Sequence, residues 1–329
     1  MFFRILRGRY TPRTSELRSL DRYRSYRRTA KFPMRDKPTS EVVQTGAASI
    51  FVEWSGSGLA ILLLHGFPQT HLMWRNVAPH LVESFTVVCP DLRGYGRSTC
   101  PASSLDHAAY SKRAMAQDMV AVMEHLGFTS FCVAGHDRGG RVAYRLALDH
   151  PSRVSRLAVL DIVPTETVWA QADARFALAY WPWSLFAQPA PLPERIMIAV
   201  PEAIVDDALG RWGSPASVFP PDVRAAYVQA LGSPDHARAI CEEYRAAATV
   251  DREHDVDDLK RGRRIACRVL ALWSERGSLN EWYAEAGGPL ALWREWCDHV
   301  EGRAIHAGHF FPEEVPEETA DALVRFFAS

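Results

Sequence analysis

The chain has 329 residues, of which 47% are apolar and 23% charged, and its net charge is −1. This composition is ordinary for a globular protein with a large core. No apolar run approaches the roughly 18 residues that a membrane-spanning helix requires, so we expect no membrane association. The six cysteines are scattered and form no CxxC pair. We therefore expect a reduced, cytoplasmic protein rather than one held together by disulfides.

The charge is distributed unevenly along the chain. Residues 1–33 contain nine Arg and one Lys against Glu16 and Asp21, about +8, so the remainder carries about −9. Three interpretations are a disordered basic tail, a transit-like segment, and translated upstream sequence before a true start at Met34; the first and last are favoured. We treat residues 1–36 as a basic, disordered extension. Only its charge points to nucleic acid, so no nucleic-acid partner is expected.

From residue 37 onwards, apolar runs typical of buried strands alternate with helical patterns. A hairpin is predicted over 41–53, and a continuous apolar run at 59–64 predicts a buried parallel strand. The other predicted elements of this half are strands at 85–89, 131–134 and 157–162 and helices at 76–84, 110–126 and directly after the turn at 135–140. This alternation predicts an α/β fold with a doubly wound, mostly parallel sheet.

The alternation stops after Pro164. Residues 164–250 contain no buried-strand run, but they are rich in aromatics and prolines and include helical stretches at 222–231 and 237–248. We predict a helical cap inserted into a core formed by residues 37–163 and 251–329. The core pattern returns with strands at 268–273 and 301–306 and helices at 289–297 and 316–327.

An acidic residue occupies the apex of a predicted strand–turn–helix. The strand 131–134 runs into Gly135-His136-Asp137-Arg138-Gly139-Gly140, and a helical pattern follows at once. The arrangement is similar to the nucleophile elbow G-x-S-x-G of α/β-hydrolases, with Asp137 where the serine would stand. It predicts a carboxylate nucleophile. The alternative is an ordinary βα loop in which Asp137 caps the helix.

Other candidate residues also follow predicted strands. Because ligands bind at the carboxyl ends of the strands in open α/β sheets, these residues should meet. His309 follows the last strand and is the candidate base, with Asp161 or Glu275 as its acidic partner. The order nucleophile, acid, histidine is the one the hydrolase fold uses. The backbone N–H groups of Phe67 and Arg138 would form an oxyanion hole.

A carboxylate nucleophile can displace a leaving group from saturated carbon and form an alkyl ester. Water activated by a histidine then attacks the ester carbonyl. Dehalogenation and epoxide opening both follow this course. Arg138 and Arg141, one and four residues after Asp137, can lie beside the nucleophile and bind a substrate carboxylate. The alternative is a solvated basic helix face that includes Arg145.

Longer motifs indicate a family. The chain resembles the haloacetate (fluoroacetate) dehalogenases of the α/β-hydrolase superfamily over roughly residues 40–328. The motifs that carry the resemblance include LLLHGFPQTHLMW (62–74), DLRGYG (91–96), GHDRGGRVAYRLALDHP (135–151), WSLFAQPAPLPE (183–194), CEEYRAAATVDREHD (241–255) and GHFFPEE (308–314).

The resemblance implies roles for individual residues. Asp137 would be the nucleophile, His309 the base and Asp161 its partner, while Arg138 and Arg141 would bind the substrate carboxylate. Trp183 and Tyr244 would donate hydrogen bonds to the leaving halide. The implied substrates are a small haloacid and water, with no metal or cofactor; a homodimer is left open.

One position departs from the family. A histidine usually precedes the cap tryptophan as a third halide donor, but here the residue is Pro182, which cannot donate. Release of fluoride should suffer more than release of chloride or bromide, unless Trp181 compensates. The second hypothesis is an epoxide hydrolase, which normally uses two cap tyrosines; Tyr244 and the nearby Tyr180 would serve. The third is a non-catalytic binding protein of the same fold.

Overall fold

The computed structural model describes residues 38–329, so the basic extension at residues 1–36 lies outside the described residues. An eight-stranded sheet organises the described part. Its strands are β1 (Thr39–Gln44), β2 (Ser49–Gly56), β3 (Ala60–Leu64), β4 (Thr86–Pro90), β5 (Phe131–His136), β6 (Val154–Leu160), β7 (Arg268–Ser274) and β8 (Val300–Ile305).

The sheet is mostly parallel, with the order β1-β2-β4-β3-β5-β6-β7-β8. Only β2 runs against its neighbours, since it pairs antiparallel with both β1 and β4. The remaining pairs are parallel, as between β3 and β5, where Leu64 lies opposite Gly135. The predicted α/β-hydrolase fold with its doubly wound sheet is confirmed.

Helices cover both faces of the sheet. They are α1 (Ala78–Leu81), α2 (Lys112–His125), α3 (Asp137–Asp149), α4 (Thr165–Ala170), α5 (Ala174–Ala179), α6 (Trp181–Phe186), α7 (Leu192–Ala199), α8 (Pro201–Arg211), α9 (Pro221–Leu231), α10 (Pro234–Ala248), α11 (Val250–Lys260), α12 (Leu279–Trp282), α13 (Gly288–Trp296), α14 (Phe311–Glu314) and α15 (Pro316–Phe327). Short 3₁₀ turns occupy His71–Trp74, Ala108–Tyr110 and Ala216–Val218. None of the helices within residues 38–329 combines the length and apolarity needed to cross a bilayer.

The helices α4 to α11 all lie between β6 and β7 in the chain; we call this segment, residues 165–260, the inserted helices. Their apolar side chains belong to the larger of two hydrophobic clusters, which also contains residues of α2, α3 and α13. The smaller cluster lies on the other face of the sheet and includes side chains of α15. The sequence from residue 251 is recognisable only by its charged residues. In the structure it forms most of α11, which ends at Lys260.

The carboxyl ends of the parallel strands meet at one edge of the sheet. His65 follows β3, Asp137 follows β5, and Asp161 follows β6. His309 lies four residues beyond the end of β8, just before α14. The fold thus places the candidate residues, which are up to 244 positions apart in the sequence, at one edge.

Candidate active site

Asp137 stands on a strained turn between β5 and α3. Its φ is +46°, in the left-handed region that side chains other than glycine rarely adopt. The turn also brings α3 very close to β3, since a Cβ atom on Gly139 would lie 2.4 Å from the backbone oxygen of His65. Glycine is therefore required at 139. This is the geometry expected of a nucleophile elbow, with a carboxylate at its apex.

The Asp137 carboxylate is buried, and a backbone amide holds it. The N–H of Phe67 donates to Oδ2 of Asp137 at 2.9 Å. Burial would raise the pKa of Asp137, but electrostatic interactions with its neighbours, chiefly His309 and Arg138, outweigh burial and lower it. The side chain is therefore ionised at neutral pH, as a nucleophile must be.

His309 pairs with Asp161. The distance from Nδ1 of His309 to Oδ2 of Asp161 is 2.6 Å, and Oδ1 of Asp161 accepts the N–H of Ser274 at 2.7 Å. With its proton on Nδ1, the ring has a lone pair on Nε2, which is buried and has no partner among the described residues. The alternative acid, Glu275, instead contacts the exposed His306 at 2.8 Å. The geometry therefore favours Asp161 over Glu275.

Arg138 and Arg141 are both buried near the same tryptophan. Their Cζ atoms lie 5.0 Å and 4.5 Å from the centre of the Trp183 ring, and Cζ of Arg138 lies 4.1 Å from that of Tyr244. Neither arginine belongs to a solvated face. Arg145 is directed elsewhere, because it pairs with two aspartates of α11, Asp255 and Asp258.

Each of the two arginines keeps at least one buried donor without a partner among the described residues. Nε of Arg138 binds Glu243 at 2.8 Å, while Nη1 of Arg141 binds the carbonyl of Val163 at 2.9 Å and the hydroxyl of Thr165 at 3.3 Å. Nη1 of Arg138 and Nε of Arg141 are buried without a partner among residues 38–329. Because buried donors are normally hydrogen-bonded, these two nitrogens are candidates for binding an anionic ligand.

The inserted helices contribute the aromatic side of the site. Trp183 and Tyr244 are buried with their rings edge to face, 6.3 Å apart. The indole N–H of Trp181 is already used, since it donates to Asp207 at 2.6 Å, so Trp181 does not replace the donor that Pro182 lacks. Tyr180 does face the site: its ring lies edge-on to His309, with centroids 6.4 Å apart.

A small cavity of about 20 Å³ lies above Asp137. Its lining includes Asp137, Arg141, Asp161 and Trp183, while Arg138, Tyr244 and His309 do not line it. Sequence reasoning missed most of the remaining wall, which is formed by Val168, Phe176, Tyr180, Leu279, Trp282 and Tyr283. These residues are far apart in sequence and follow no motif, so only the folded chain brings them together.

His136, the residue before Asp137, contacts the backbone of His309. Its Nε2 lies 2.8 Å from the backbone oxygen of His309, and burial lowers its pKa to about 3. The folded protein therefore holds His136 neutral below pH 6.5, while the unfolded chain takes up a proton there. The native state should lose up to about 1.4 kcal/mol of stability for each pH unit between 6.5 and about 3.

Urea unfolding at pH 6.5 and pH 4.5 tests this. His136→Gln, which keeps a donor for the His309 carbonyl, should lose much less stability on acidification than the wild type. The exposed His306→Gln should behave like the wild type. Equal losses in His136→Gln and wild type would contradict the assignment.

Within residues 38–329 no group of three or more His, Cys, Asp or Glu side chains is placed to hold a metal ion.

A family model for the α/β hydrolase fold matches residues 60–315. The chain belongs to the α/β-hydrolase family. This α/β-hydrolase is 41% identical over 288 residues to a fluoroacetate dehalogenase from Burkholderia sp., covering 87% of this chain and 93% of the relative. It is 32% identical over 290 residues to a soluble epoxide hydrolase from Corynebacterium sp. (strain C12), and the match covers 83% of this chain and 92% of that relative.

A solved structure agrees with the fold. The crystal structure of an α/β hydrolase from Nostoc sp. PCC 7120 superposes with a TM-score of 0.85 at 48% identity, covering 88% of this chain and 98% of that one. The chain is thus a hydrolase of α/β fold, and its relatives include enzymes named for carbon–halogen and for epoxide substrates.

Proposed function

We propose that this protein is a hydrolytic dehalogenase of short 2-haloacids. The observation that carries the proposal is the pair of buried guanidinium donors, Nη1 of Arg138 and Nε of Arg141, that have no partner within residues 38–329 and belong to the helix that Asp137 begins. A carboxylate bound there would place its α-carbon near Asp137. A haloacid has a carboxylate that two arginines can bind, whereas an epoxide has no anionic group.

In the first step, a carboxylate oxygen of Asp137 attacks the carbon that bears the halogen. The carbon–halogen bond breaks, the halide leaves with the bonding electrons, and an aspartyl ester forms. Trp183 and Tyr244 would donate to the departing halide. Burial raises the pKa of Tyr244 well above its ordinary range, although the charge of Arg138 opposes this, so the hydroxyl keeps its proton.

In the second step, the free Nε2 of His309 takes a proton from water, and the hydroxide attacks the ester carbonyl. Asp161 stabilises the imidazolium that forms. The N–H of Phe67, already bound to Asp137, would stabilise the oxyanion, and the N–H of Arg138 is proposed as the second donor. Collapse releases the 2-hydroxyacid and restores Asp137, so haloacid and water give hydroxyacid, halide and a proton.

The cavity supports a small substrate. At about 20 Å³ the cavity has no room for a large substrate, so a ligand that enters it should be small. We propose accordingly that residues 164–250 act as a cap that limits the substrate to acids of two or three carbons.

The second candidate, an epoxide hydrolase, has one observation in its favour. Tyr180 lines the cavity, and burial together with the charges of Asp161 and Asp137 raises its pKa well above the ordinary range. Tyr180 and Tyr244 would then be the two hydroxyl donors that an epoxide oxygen requires.

Halide release tests the proposal against this alternative. Purified protein is incubated with chloroacetate, bromoacetate or fluoroacetate, and free halide is measured; diol formation from styrene oxide is measured in parallel. We expect chloride and bromide release without diol formation. Diol formation without halide release would replace the proposal with the alternative.

The residue at position 182 should determine how well fluoride is released. Because Pro182 offers no donor, fluoroacetate should react more slowly than chloroacetate by a factor of about 10 or more, since one lost charge-assisted hydrogen bond is worth about 1.5–3 kcal/mol. We expect Pro182→His to raise kcat for fluoroacetate and to change kcat for chloroacetate much less. Pro182→Ala is the control, since it removes the ring without adding a donor. An equal effect of both variants on fluoroacetate would contradict a donor at this position.

A further inference from the structure

Arg138 is held by a buried ion cluster behind the site. Its Nε and Nη2 donate to Oε1 and to the backbone oxygen of Glu243, at 2.8 Å and 3.3 Å. The same carboxylate contacts Nζ of Lys112 and accepts the hydroxyl of Tyr95 at 2.8 Å. The side chains of Arg138, Glu243 and Lys112 are almost completely inaccessible to solvent.

The cluster is balanced in charge. Lys112 also pairs with Asp251. Oδ2 of Asp251 lies 3.5 Å from Nζ of Lys112, and Oδ1 accepts the backbone N–H of Lys112 at 2.8 Å. Two cations therefore face two anions. Burial would raise the pKa of Glu243, but the charges of Arg138 and Lys112 lower it, so this carboxylate is ionised.

This arrangement makes the two site arginines different. Glu243 accepts from two nitrogens of Arg138 and leaves Nη1 buried without a partner among residues 38–329. Arg141 is hydrogen-bonded only to the neutral oxygens of Val163 and Thr165 among the described residues. The orientation of Arg138 is therefore set by a carboxylate that contacts it directly, whereas Arg141 has no such contact within the described part of the chain.

We propose that Glu243 is a positioning residue that selects carboxylate ligands by aiming Nη1 of Arg138 into the site, with Tyr95 and Lys112 fixing the Glu243 carboxylate. The proposal rests on the proposed function only in that the ligand is a small carboxylate. It assigns a task to the residue that directly precedes Tyr244 on α10, so one helix would carry both a leaving-group donor and the support of an anion-binding arginine.

Two variants separate position from charge. Glu243→Asp keeps the charge but withdraws the acceptor from Arg138 by one methylene. Glu243→Gln keeps an oxygen in place but removes the charge, and Tyr95 can accept from the new amide. Glu242→Gln is the matched control, because Glu242 points away and binds Arg245 and His107.

The dissociation constants of acetate and of its neutral analogue acetamide are measured by calorimetry. We expect Glu243→Asp to weaken the binding of acetate by about 10-fold or more and to leave the binding of acetamide nearly unchanged. A loss of this size is usual when a residue that supports a binding group is altered. Glu243→Gln should weaken acetate less than about threefold, and Glu242→Gln should match the wild type. Tyr95→Phe should weaken acetate by about threefold, and it provides the measurement if Glu243→Asp does not fold.

The outcomes are distinct. A larger effect of Glu243→Gln than of Glu243→Asp would show that Glu243 acts through charge and would overturn the proposal. So would equal losses for acetate and acetamide, which indicate a purely structural role, or a wild type that binds acetate no better than acetamide. If the wild type prefers acetate but releases no halide from any haloacid, the proposed function fails while the positioning role stands.

Discussion

Protein carrying His309→Asn should become alkylated on Asp137 when it is incubated with bromoacetate. The first chemical step needs only the nucleophile and the leaving-group donors, whereas ester hydrolysis needs the base at Nε2 of His309. Loss of a general base typically slows a step by about 10²–10⁴, so the ester should accumulate. Intact mass spectrometry should find a gain of one carboxymethyl group, and peptide mapping should locate it on Asp137.

The controls separate this ester from chemical alkylation of thiols. Burial raises the pKa of Cys100 and Cys267 to about 11, so little thiolate is present at neutral pH. The double variant with Asp137→Asn and His309→Asn should gain no mass, and the wild type should release bromide continuously. A gain that persists in the double variant would refute Asp137 as nucleophile. No adduct with any variant, together with no halide release, would favour the non-catalytic binding protein.

Arg141→Met should lower kcat/KM for chloroacetate by about 30-fold to several thousand-fold. The reason is electrostatic: truncating one member of a buried charge pair typically costs about 2–5 kcal/mol, and the neutral partners of Arg141 leave its charge for the substrate. Chloroacetamide, which has the same leaving group but no charge, should be affected far less. Steady-state rates of chloride release from both substrates provide the measurement.

Arg141→Lys tests whether charge alone is sufficient. It keeps the cation but lacks the planar fork, so we expect a smaller loss, about 10-fold, than for Arg141→Met. If Arg141→Met lowered the rates of chloroacetate and chloroacetamide equally, the arginine would act on folding or on the nucleophile. The carboxylate-binding role would then be wrong.

Sequence patterns predicted the fold and also predicted that Asp137, Asp161 and His309 would lie at one edge of the sheet, because both predictions depend on local chemistry. The turn around Asp137 requires glycine where strand and helix touch, and the buried strands are continuous apolar runs. The acid was harder, because Asp161 and Glu275 both follow strands. Only the distance to Nδ1 of His309 distinguishes them.

The environment of the arginines could not be predicted from helical spacing. Arg138, Arg141 and Arg145 are spaced so that they fit one helix face, yet Arg145 binds acids of α11 more than 100 residues away. The anchoring of Arg138 by Glu243 spans a similar distance, 105 positions. Long-range ion pairs of this kind leave no periodic pattern in a sequence.

The position of the inserted helices within the chain has a consequence for how such enzymes diversify. The proposed nucleophile, acid and base, Asp137, Asp161 and His309, belong to segments next to β5, β6 and β8, while the proposed leaving-group donors, Trp183 and Tyr244, both lie between β6 and β7. Mutations in that stretch can change which bond is broken without altering the hydrolytic groups on the sheet. In the proposed mechanism, a change of hydrogen-bond donor at position 180 or 182 would alter only the first half of the reaction, the departure of the leaving group.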